Sequence, residues 1–203
     1  MRVVVHIEGG GDNKMQQIEL RQAFEALFRR AGFEGKMPRV DCSGSREQAK
    51  KDYLSGRKQS DRHAMLLVDA EAAVADGASS IAHLQTRDRW DLDASTENDV
   101  HLMVQLMESW FLADRTALQA VFGAGFNPSH LPGTERDIES IRKSDVESGL
   151  SNATRATKDG PYDRRTKGRL GPRILSRIDP RRVEAASPHA KRFFDRMREL
   201  ATR

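Results

Sequence analysis

The sequence VVVHIEGGGD, residues 3 to 12, joins a short β-branched run to an acid and three consecutive glycines. Residues 2 to 8 have the composition of a buried strand. Glycine weakens strands and helices alike, so three glycines at the end of a strand raise the question of what approaches the backbone there. Glu8, the acid at this strand end, is therefore the first candidate for a functional side chain.

A helix, a strand and a second helix are predicted next. Apolar residues recur with helical spacing between 13 and 31, and these are Leu20, Phe24, Leu27, Phe28 and Ala31. Residues 37 to 44, MPRVDCSG, predict the second strand. Ser45 and Gln48 form a capping-box signal for a second helix that ends near Leu54.

Two further strands are predicted after that helix. In HAMLLVDAE, residues 63 to 71, five apolar residues end abruptly at Asp69 and Glu71. Residues 72 to 99 predict an irregular, acid-rich excursion. VHLMVQL, which begins at residue 100, predicts the fourth strand, and MESWFLADRTALQAVFG continues it into a helix.

Strands that alternate with helices predict an α/β fold whose mainly parallel four-stranded sheet is flanked by helices. We predict an α/β core over residues 1–123 and a helical, basic C-terminal extension over residues 124–203 that packs on this core. Ser187 and Pro188 mark the start of the last helix. Its apolar stripe consists of Ala190, Phe193, Phe194, Met197, Leu200 and Ala201.

The composition indicates a cytoplasmic protein. Cys42 is the one cysteine among 203 residues, which rules out an internal disulfide. The chain reaches Glu8 before a signal-like apolar segment develops, and no apolar run approaches the roughly 18 residues of a membrane span.

Charge is distributed unevenly around a formal net charge of +4. Residues 155–203 carry 15 Lys and Arg against 6 Asp and Glu, whereas residues 1–154 carry 19 against 24. This asymmetry fits either a solvated helical surface or a footprint for phosphate backbones. The candidate nucleic-acid-binding residues are Lys143, Arg164, Arg165, Lys167 and Arg169.

Three acids are candidate metal ligands and catalytic residues: Glu8, Asp69 and Glu71. Ligands of parallel sheets gather outside the carboxyl ends of strands, and residues i and i+2 of an extended segment face the same way. Converging carboxylates repel each other unless a cation intervenes, and Mg²⁺ or Mn²⁺ accepts oxygen ligands while leaving room for phosphate. The glycines would then let a phosphate or a metal-bound water come close. Each acid taken singly also fits a solvated strand end or a helix N-terminal charge.

Other polar residues have two readings each. Glu108 opens a helix directly after a strand, where it joins the metal cluster as a catalytic acid or only stabilises the helix N-terminus. His101 is a proton shuttle or, in the favoured reading, a satisfied histidine on a strand. Asp114 does not share a helix face with Glu108, and Asp12 fits a helix cap.

A strand that ends in Glu and glycines, with a later strand that ends in an Asp-x-Asp/Glu pair, resembles the Toprim domain of topoisomerases, primases and OLD-type nucleases. Glu8 matches the Toprim glutamate, Asp69 matches the first acid of the pair and Glu71 the second, where many members have Asp. The resemblance implies a Toprim-like fold and a Mg²⁺ site.

The segments IEGGGD, LLVDAEA, HLMVQLMESWFLAD and ASPHAKRF further resemble a bacterial Toprim-like family akin to the RloB proteins, often encoded beside AAA or OLD-type ATPases in phage-defence operons. This resemblance implies a metal-dependent nuclease that acts on DNA or RNA as an effector of phage defence or abortive infection. The alternatives are a non-catalytic partner or sensing subunit of such an ATPase, and a nucleic-acid binder without chemistry.

Overall fold

The computed structural model describes residues 2–11, 13–133 and 137–202. Within these residues the sheet has four strands: Arg2–Gly10 (β1), Arg39–Gly44 (β2), Arg62–Asp69 (β3) and Val100–Met103 (β4). Their spatial order is β2-β1-β3-β4, and every neighbouring pair is parallel. The predicted α/β fold with a four-stranded parallel sheet is confirmed.

Nine α-helices lie in the described residues. They are Lys14–Phe28 (α1), Arg46–Gly56 (α2), Ser80–Asp88 (α3), Met107–Leu112 (α4), Arg115–Phe122 (α5), Lys143–Thr154 (α6), Lys167–Leu175 (α7), Pro180–Ala186 (α8) and Pro188–Ala201 (α9). The last helix begins as predicted, because the Ser187 hydroxyl accepts a hydrogen bond from the Ala190 N–H at 3.0 Å. Of the helices described, none is long and apolar enough to cross a membrane.

Two sequence predictions about the middle of the chain are wrong. The predicted irregular excursion contains α3, which Ser79 caps by accepting a hydrogen bond from the Ala82 N–H at 3.1 Å. Its nine residues provide too short an apolar pattern to stand out beside the surrounding acids. The single helix predicted after β4 is two helices, α4 and α5, because Asp114 interrupts it and caps α5.

The sheet is covered on both faces, but unequally. Ile7 and Leu67 belong to a large apolar cluster that includes side chains of α1 and of the C-terminal helices, whereas Leu66 belongs to a smaller cluster on the side of α2 and α3. The rings of Phe28 and Phe193 in the large cluster lie 5.9 Å apart. Side chains from both sides of residue 123 thus share one core, and the predicted domain boundary at that point stays a prediction.

The basic C-terminal segment also contacts the acidic body electrostatically. Three ion pairs join α8 and α9 to residues 1–123: Arg182 with Asp114 at 2.9 Å, Arg192 with Glu97 at 2.8 Å, and Arg196 with Asp99 at 2.9 Å. Some positive charges of the basic C-terminal segment are therefore neutralised by ion pairs within the molecule. Neither interpretation of the charge asymmetry predicted these pairs.

Candidate metal centre

The structure brings the three predicted acidic ligands together at one edge of the sheet. Glu8, Asp69 and Glu71 each offer a carboxylate oxygen, and these oxygens lie within 4.8 Å of one another. Glu8 lies near the end of β1 and Asp69 is the last residue of β3, its parallel neighbour. Parallel strands end at the same edge, which is why two acids 61 positions apart in the chain meet there.

Glu71 reaches the cluster by a different route from the predicted one. β3 ends at Asp69, and the backbone of Glu71 turns into the left-handed region with φ of 64°. Its N–H donates to the Gln105 carbonyl at 2.6 Å, which fixes the turn. The predicted extended i, i+2 arrangement is therefore wrong, although the carboxylate arrives at the cluster. A non-glycine residue in this region costs on the order of 1 kcal/mol, and such strain is concentrated at functional sites.

Backbone donors orient the carboxylates of Asp69 and Glu8. The Met107 N–H at the start of α4 donates to Asp69 Oδ1 at 2.7 Å, and the Asp69 N–H donates to Glu8 Oε2 at 3.2 Å. The beginning of a helix presents unpaired N–H groups, so α4 fixes the direction in which Asp69 points.

Three cations contact Glu8 and Glu71, and the longest of these contacts joins Arg87 Nη2 to Glu71 Oε2 at 3.8 Å. Arg46 Nη1 donates to Glu8 Oε2 at 3.0 Å, and Lys143 Nζ lies 2.5 Å from Glu71 Oε2. Burial lowers the pKa of Lys143, but its hydrogen bond to Glu71 and the negative charges of Glu71, Glu147 and Asp69 together outweigh that effect, and the net pKa is raised. Lys143 was predicted as a phosphate ligand, and the structure places it directly against the acid cluster.

The acids destabilise one another's charged forms. Burial raises the pKa of Asp69 well above its usual range, and the carboxylates of Glu8, Glu108 and Glu71 add to this effect. Burial also raises the pKa of Glu8, although Arg46 and the Asp69 N–H oppose it. A positive charge placed among these oxygens would remove the repulsion.

The acid cluster opens into a cleft of about 380 Å³. Glu108, on α4, lines this cleft and is buried, and its Oε1 accepts a hydrogen bond from the Tyr162 hydroxyl at 2.9 Å. A second cavity of about 370 Å³ adjoins the first and shares Glu108, Arg164 and Lys167 with it. Glu108 thus faces the cleft, in addition to opening a helix.

The glycines after Glu8 also line the cleft, but packing explains two of them. A Cβ on Gly9 would lie 2.6 Å from Leu20 Cδ2, and a Cβ on Gly10 would lie 2.8 Å from the Gln17 Cα. Both have positive φ, of 131° and 83°. At these two positions the missing side chain lets α1 pack against the end of β1, whatever ligand the cleft takes.

The predicted basic residues fall into separate groups. Arg164, Arg165 and Lys167 line the cleft, and among the described residues none of the three has a carboxylate within ion-pair distance. Arg169 is not in the cleft lining, and its guanidinium pairs with Asp159 at 2.8 Å. Together with Lys143, which contacts Glu71, four of the five predicted cations thus lie at the acid cluster or its cleft, and Arg169 lies outside.

Of the remaining candidate residues, His101 lies in the core and Asp114 caps a helix. His101 is 1% exposed and packs against Phe193 with ring centroids 5.3 Å apart, and burial lowers its pKa to about 3. Neither ring nitrogen of His101 has a hydrogen-bond partner of standard geometry in the described part of the chain, although the backbone of Asn98 is close enough to oppose the lowering of its pKa. Asp114 caps α5. Asp12 lies outside the described residues, and the cap of α1 is Asn13.

Sequence reasoning missed Arg46 and Tyr162, which contact Glu8 and Glu108 respectively. Arg46 is the first residue of α2, directly after the predicted capping residue Ser45. Its role depends on the pairing of β2 beside β1, which brings the start of α2 to the acid edge. A signal of that kind requires the strand order, and local sequence patterns do not contain it.

The comparisons with known proteins give one match. No curated protein and no solved structure matches the chain at a significant level. A family model described as "Domain of unknown function (DUF4276)" matches residues 7–198, and this range includes all the acids and cations of the metal centre. The chain therefore belongs to the DUF4276 family.

Proposed function

We propose that the protein is a metal-dependent nuclease that hydrolyses phosphodiester bonds and holds Mg²⁺ or Mn²⁺ with Glu8, Asp69 and Glu71. The observation that carries the proposal is the convergence of three carboxylate oxygens within 4.8 Å at the carboxyl edge of a parallel sheet. The Toprim resemblance supports the same assignment, because it rests on the same three acids.

The donor set fits a hard divalent cation. Mg²⁺ binds oxygen at about 2.0–2.1 Å, so two opposite ligands lie about 4.2 Å apart. The carboxylate oxygens of Glu8, Asp69 and Glu71 all lie within 4.8 Å of one another, so small side-chain adjustments would let one such ion bind all three. Burial and the neighbouring carboxylates raise the pKa values of Asp69 and Glu8, so a cation would replace repulsion with attraction.

When bound, such an ion lowers the pKa of a coordinated water and stabilises the oxygen displaced from phosphorus. The chain's own residues have further roles in this proposal. The Met107 N–H keeps Asp69 directed into the cleft, and Tyr162 orients Glu108. Glu108 would accept the proton of the attacking water, since it is the fourth acid that faces the cleft.

Arg164, Arg165 and Lys167 are the proposed contacts for substrate phosphates. They line the same cleft as the acids, and their ammonium and guanidinium groups suit phosphate oxygens. The substrate class that fits acids for a metal ion and cations for phosphate is nucleic acid, DNA or RNA. The resemblance to RloB-like proteins adds the proposal that this nuclease is an effector in phage defence.

The decisive experiment compares the wild type with Asp69→Asn in cleavage assays on single-stranded DNA, double-stranded DNA and tRNA. We expect cleavage in Mg²⁺ or Mn²⁺, none in EDTA, and a loss of at least about 100-fold in Asp69→Asn, because removing a residue that only orients a ligand already costs about 10–100-fold.

The matched control is Asp61→Asn, which neutralises an acid just before β3 whose side chain is 75% exposed. This variant should cleave like the wild type. Equal cleavage by wild type and Asp69→Asn, together with thermal melts indifferent to Mg²⁺ and Mn²⁺, would contradict the enzyme proposal. The non-catalytic ATPase partner would then be the better hypothesis.

A further inference from the structure

Arg46 lies between the acid cluster and the carboxylate of Asp88. Its Nη1 donates to Glu8 Oε2 at 3.0 Å and also to the Asp69 carbonyl oxygen. Its Nη2 donates to Asp88 Oδ2 at 2.7 Å. One guanidinium group therefore binds three oxygens from β1, β3 and α3, and two of these oxygens belong to residues of the proposed metal site.

The position of Arg46 is tightly constrained. The guanidinium lies over the Trp90 ring, 5.2 Å from its centroid, and the side chain is 16% exposed. The Trp90 indole N–H donates to Glu47 Oε1 at 2.6 Å, which fixes the ring on α2. Planar guanidinium groups are suited to buried ion pairs of this kind, and they stay charged throughout the usual pH range.

We propose that Arg46 occupies the position of a second cation, so that the cleft binds one divalent ion per chain. This inference rests on the proposed function and concerns its ion number. Two-ion sites place their metals about 3.5–4 Å apart with ligands shared between them. Here Glu8 Oε2 is already bound to Arg46, and Glu71 Oε2 is already bound to Lys143.

The charge balance favours one ion as well. The network consists of the carboxylates of Glu8, Asp69, Glu71, Asp88 and Glu108 and of the cations Arg46, Arg87 and Lys143. With every group ionised, five acids and three cations give two net negative charges. One divalent ion neutralises this network, whereas two ions would leave two positive charges in a partly buried site.

The test counts bound Mn²⁺ per chain at pH 7.5 by calorimetric titration and by the electron paramagnetic resonance signal of free Mn²⁺. We expect one ion in the wild type and two in Arg46→Met, where Glu8, Asp88 and the Asp69 carbonyl lose their shared donor. Arg57→Met is the control, since Arg57 is the C-cap of α2, lies over the Tyr53 ring, and has Asp93, which is not part of the acid cluster, as its ion partner at 4.0 Å. It should bind one ion.

Arg46→Gln is measured in parallel in case Arg46→Met does not fold, and circular dichroism verifies each variant. Two ions in the wild type, or one ion in a folded Arg46→Met or Arg46→Gln, would overturn the inference. A wild type that binds no Mn²⁺ would instead refute the metal-dependent function itself, and the inference with it.

Discussion

Acids at two places on the same sheet have opposite electrostatic surroundings. Asp99, directly before β4, accepts a hydrogen bond from Arg196 Nε at 2.9 Å, and its Oδ1 lies 2.8 Å from His63 Nε2. Burial raises the pKa of Asp99, but these two partners outweigh it and the net pKa is lowered. Glu97 is similar, because the N–H groups of Ser80 and Ile81 donate to it and its net pKa is also lowered.

The metal centre shows the reverse. Glu8 and Asp69 have donors too, but burial raises their pKa values and the further carboxylates that they face add to this effect. The fold therefore supplies enough positive partners for Asp99, which joins α9 to the sheet. It supplies too few for the acids that meet at the strand ends. Groups with perturbed pKa values in a cleft are candidates for function, because a missing ligand can provide the stabilisation that the protein does not.

The largest expected effect on stability concerns Asp99, the acid that has enough positive partners. Asp99→Asn should lower the free energy of unfolding by about 2 kcal/mol, because Arg196 and His63 lose their charged partner. This is less than the roughly 3–5 kcal/mol for breaking a fully buried pair, since the Asp99 side chain keeps 19% exposure. Urea denaturation measures the change. Unchanged stability, or a loss of Mn²⁺ binding, would show that Asp99 does not have a purely structural role.

Asp69→Asn should act in the opposite direction in metal-free buffer. We expect an increase of about 1 kcal/mol in the free energy of unfolding, since one pKa unit corresponds to about 1.4 kcal/mol and the pKa of Asp69 is raised. Mn²⁺ should then stabilise the wild type only, because a ligand stabilises the state that binds it. A destabilised Asp69→Asn in EDTA would mean that Asp69 is a structural acid like Asp99.

The free energies of unfolding of the two variants should also differ from that of the wild type in opposite directions, and both differences should become smaller as the pH falls. The folded pKa of Asp99 lies below its usual 3.8, so its stabilisation is present above that pH and is lost as pH falls. The folded pKa of Asp69 lies above 3.8, so its contribution is favourable in acid and is lost as pH rises. As the pH is lowered from about 8 to about 4 in EDTA, the free energy of unfolding of Asp69→Asn should fall towards that of the wild type from a higher value. Below about pH 4, the wild type should lose stability until its free energy of unfolding is close to the lower value of Asp99→Asn. If the free energies of unfolding of the wild type and both variants changed with pH in parallel, neither Asp69 nor Asp99 would have the shifted pKa assigned to it.

The smallest effect concerns the cations. Replacing Arg164, Arg165 and Lys167 together by Gln should reduce the salt dependence of nucleic-acid binding, by about 0.7–0.9 in log–log slope for each phosphate that the variant no longer neutralises. Arg169→Gln is the control, because Arg169 pairs with Asp159. Fluorescence anisotropy with single-stranded DNA in Ca²⁺, between about 50 and 200 mM salt, measures the slopes. Equal slopes for the triple variant and the wild type would exclude the cleft cations as phosphate ligands.

Local sequence patterns were sufficient for much of the architecture. The apolar runs predicted all four strands, and the helical stripes with Asn13, Ser45 and Ser187 near their starts correspond to α1, α2 and α9. The three acids could be identified because each follows an apolar strand, and parallel strands must end at a common edge. α3 was missed because nine residues contain too few apolar positions to define a period.

The sequence by itself determined the α/β fold and placed Glu8 and Asp69 at the same edge of the sheet, because apolar strands alternate with helices along the chain and parallel strands end at a common edge. Only the tertiary structure decided which cation meets which acid. Arg46 contacts Glu8 because β2 lies beside β1, Lys143 reaches Glu71 from α6, and Arg196 neutralises Asp99 from the last helix. These pairs join residues 38 to 97 positions apart, and their energies depend on burial and distance, which arise only when the chain has packed.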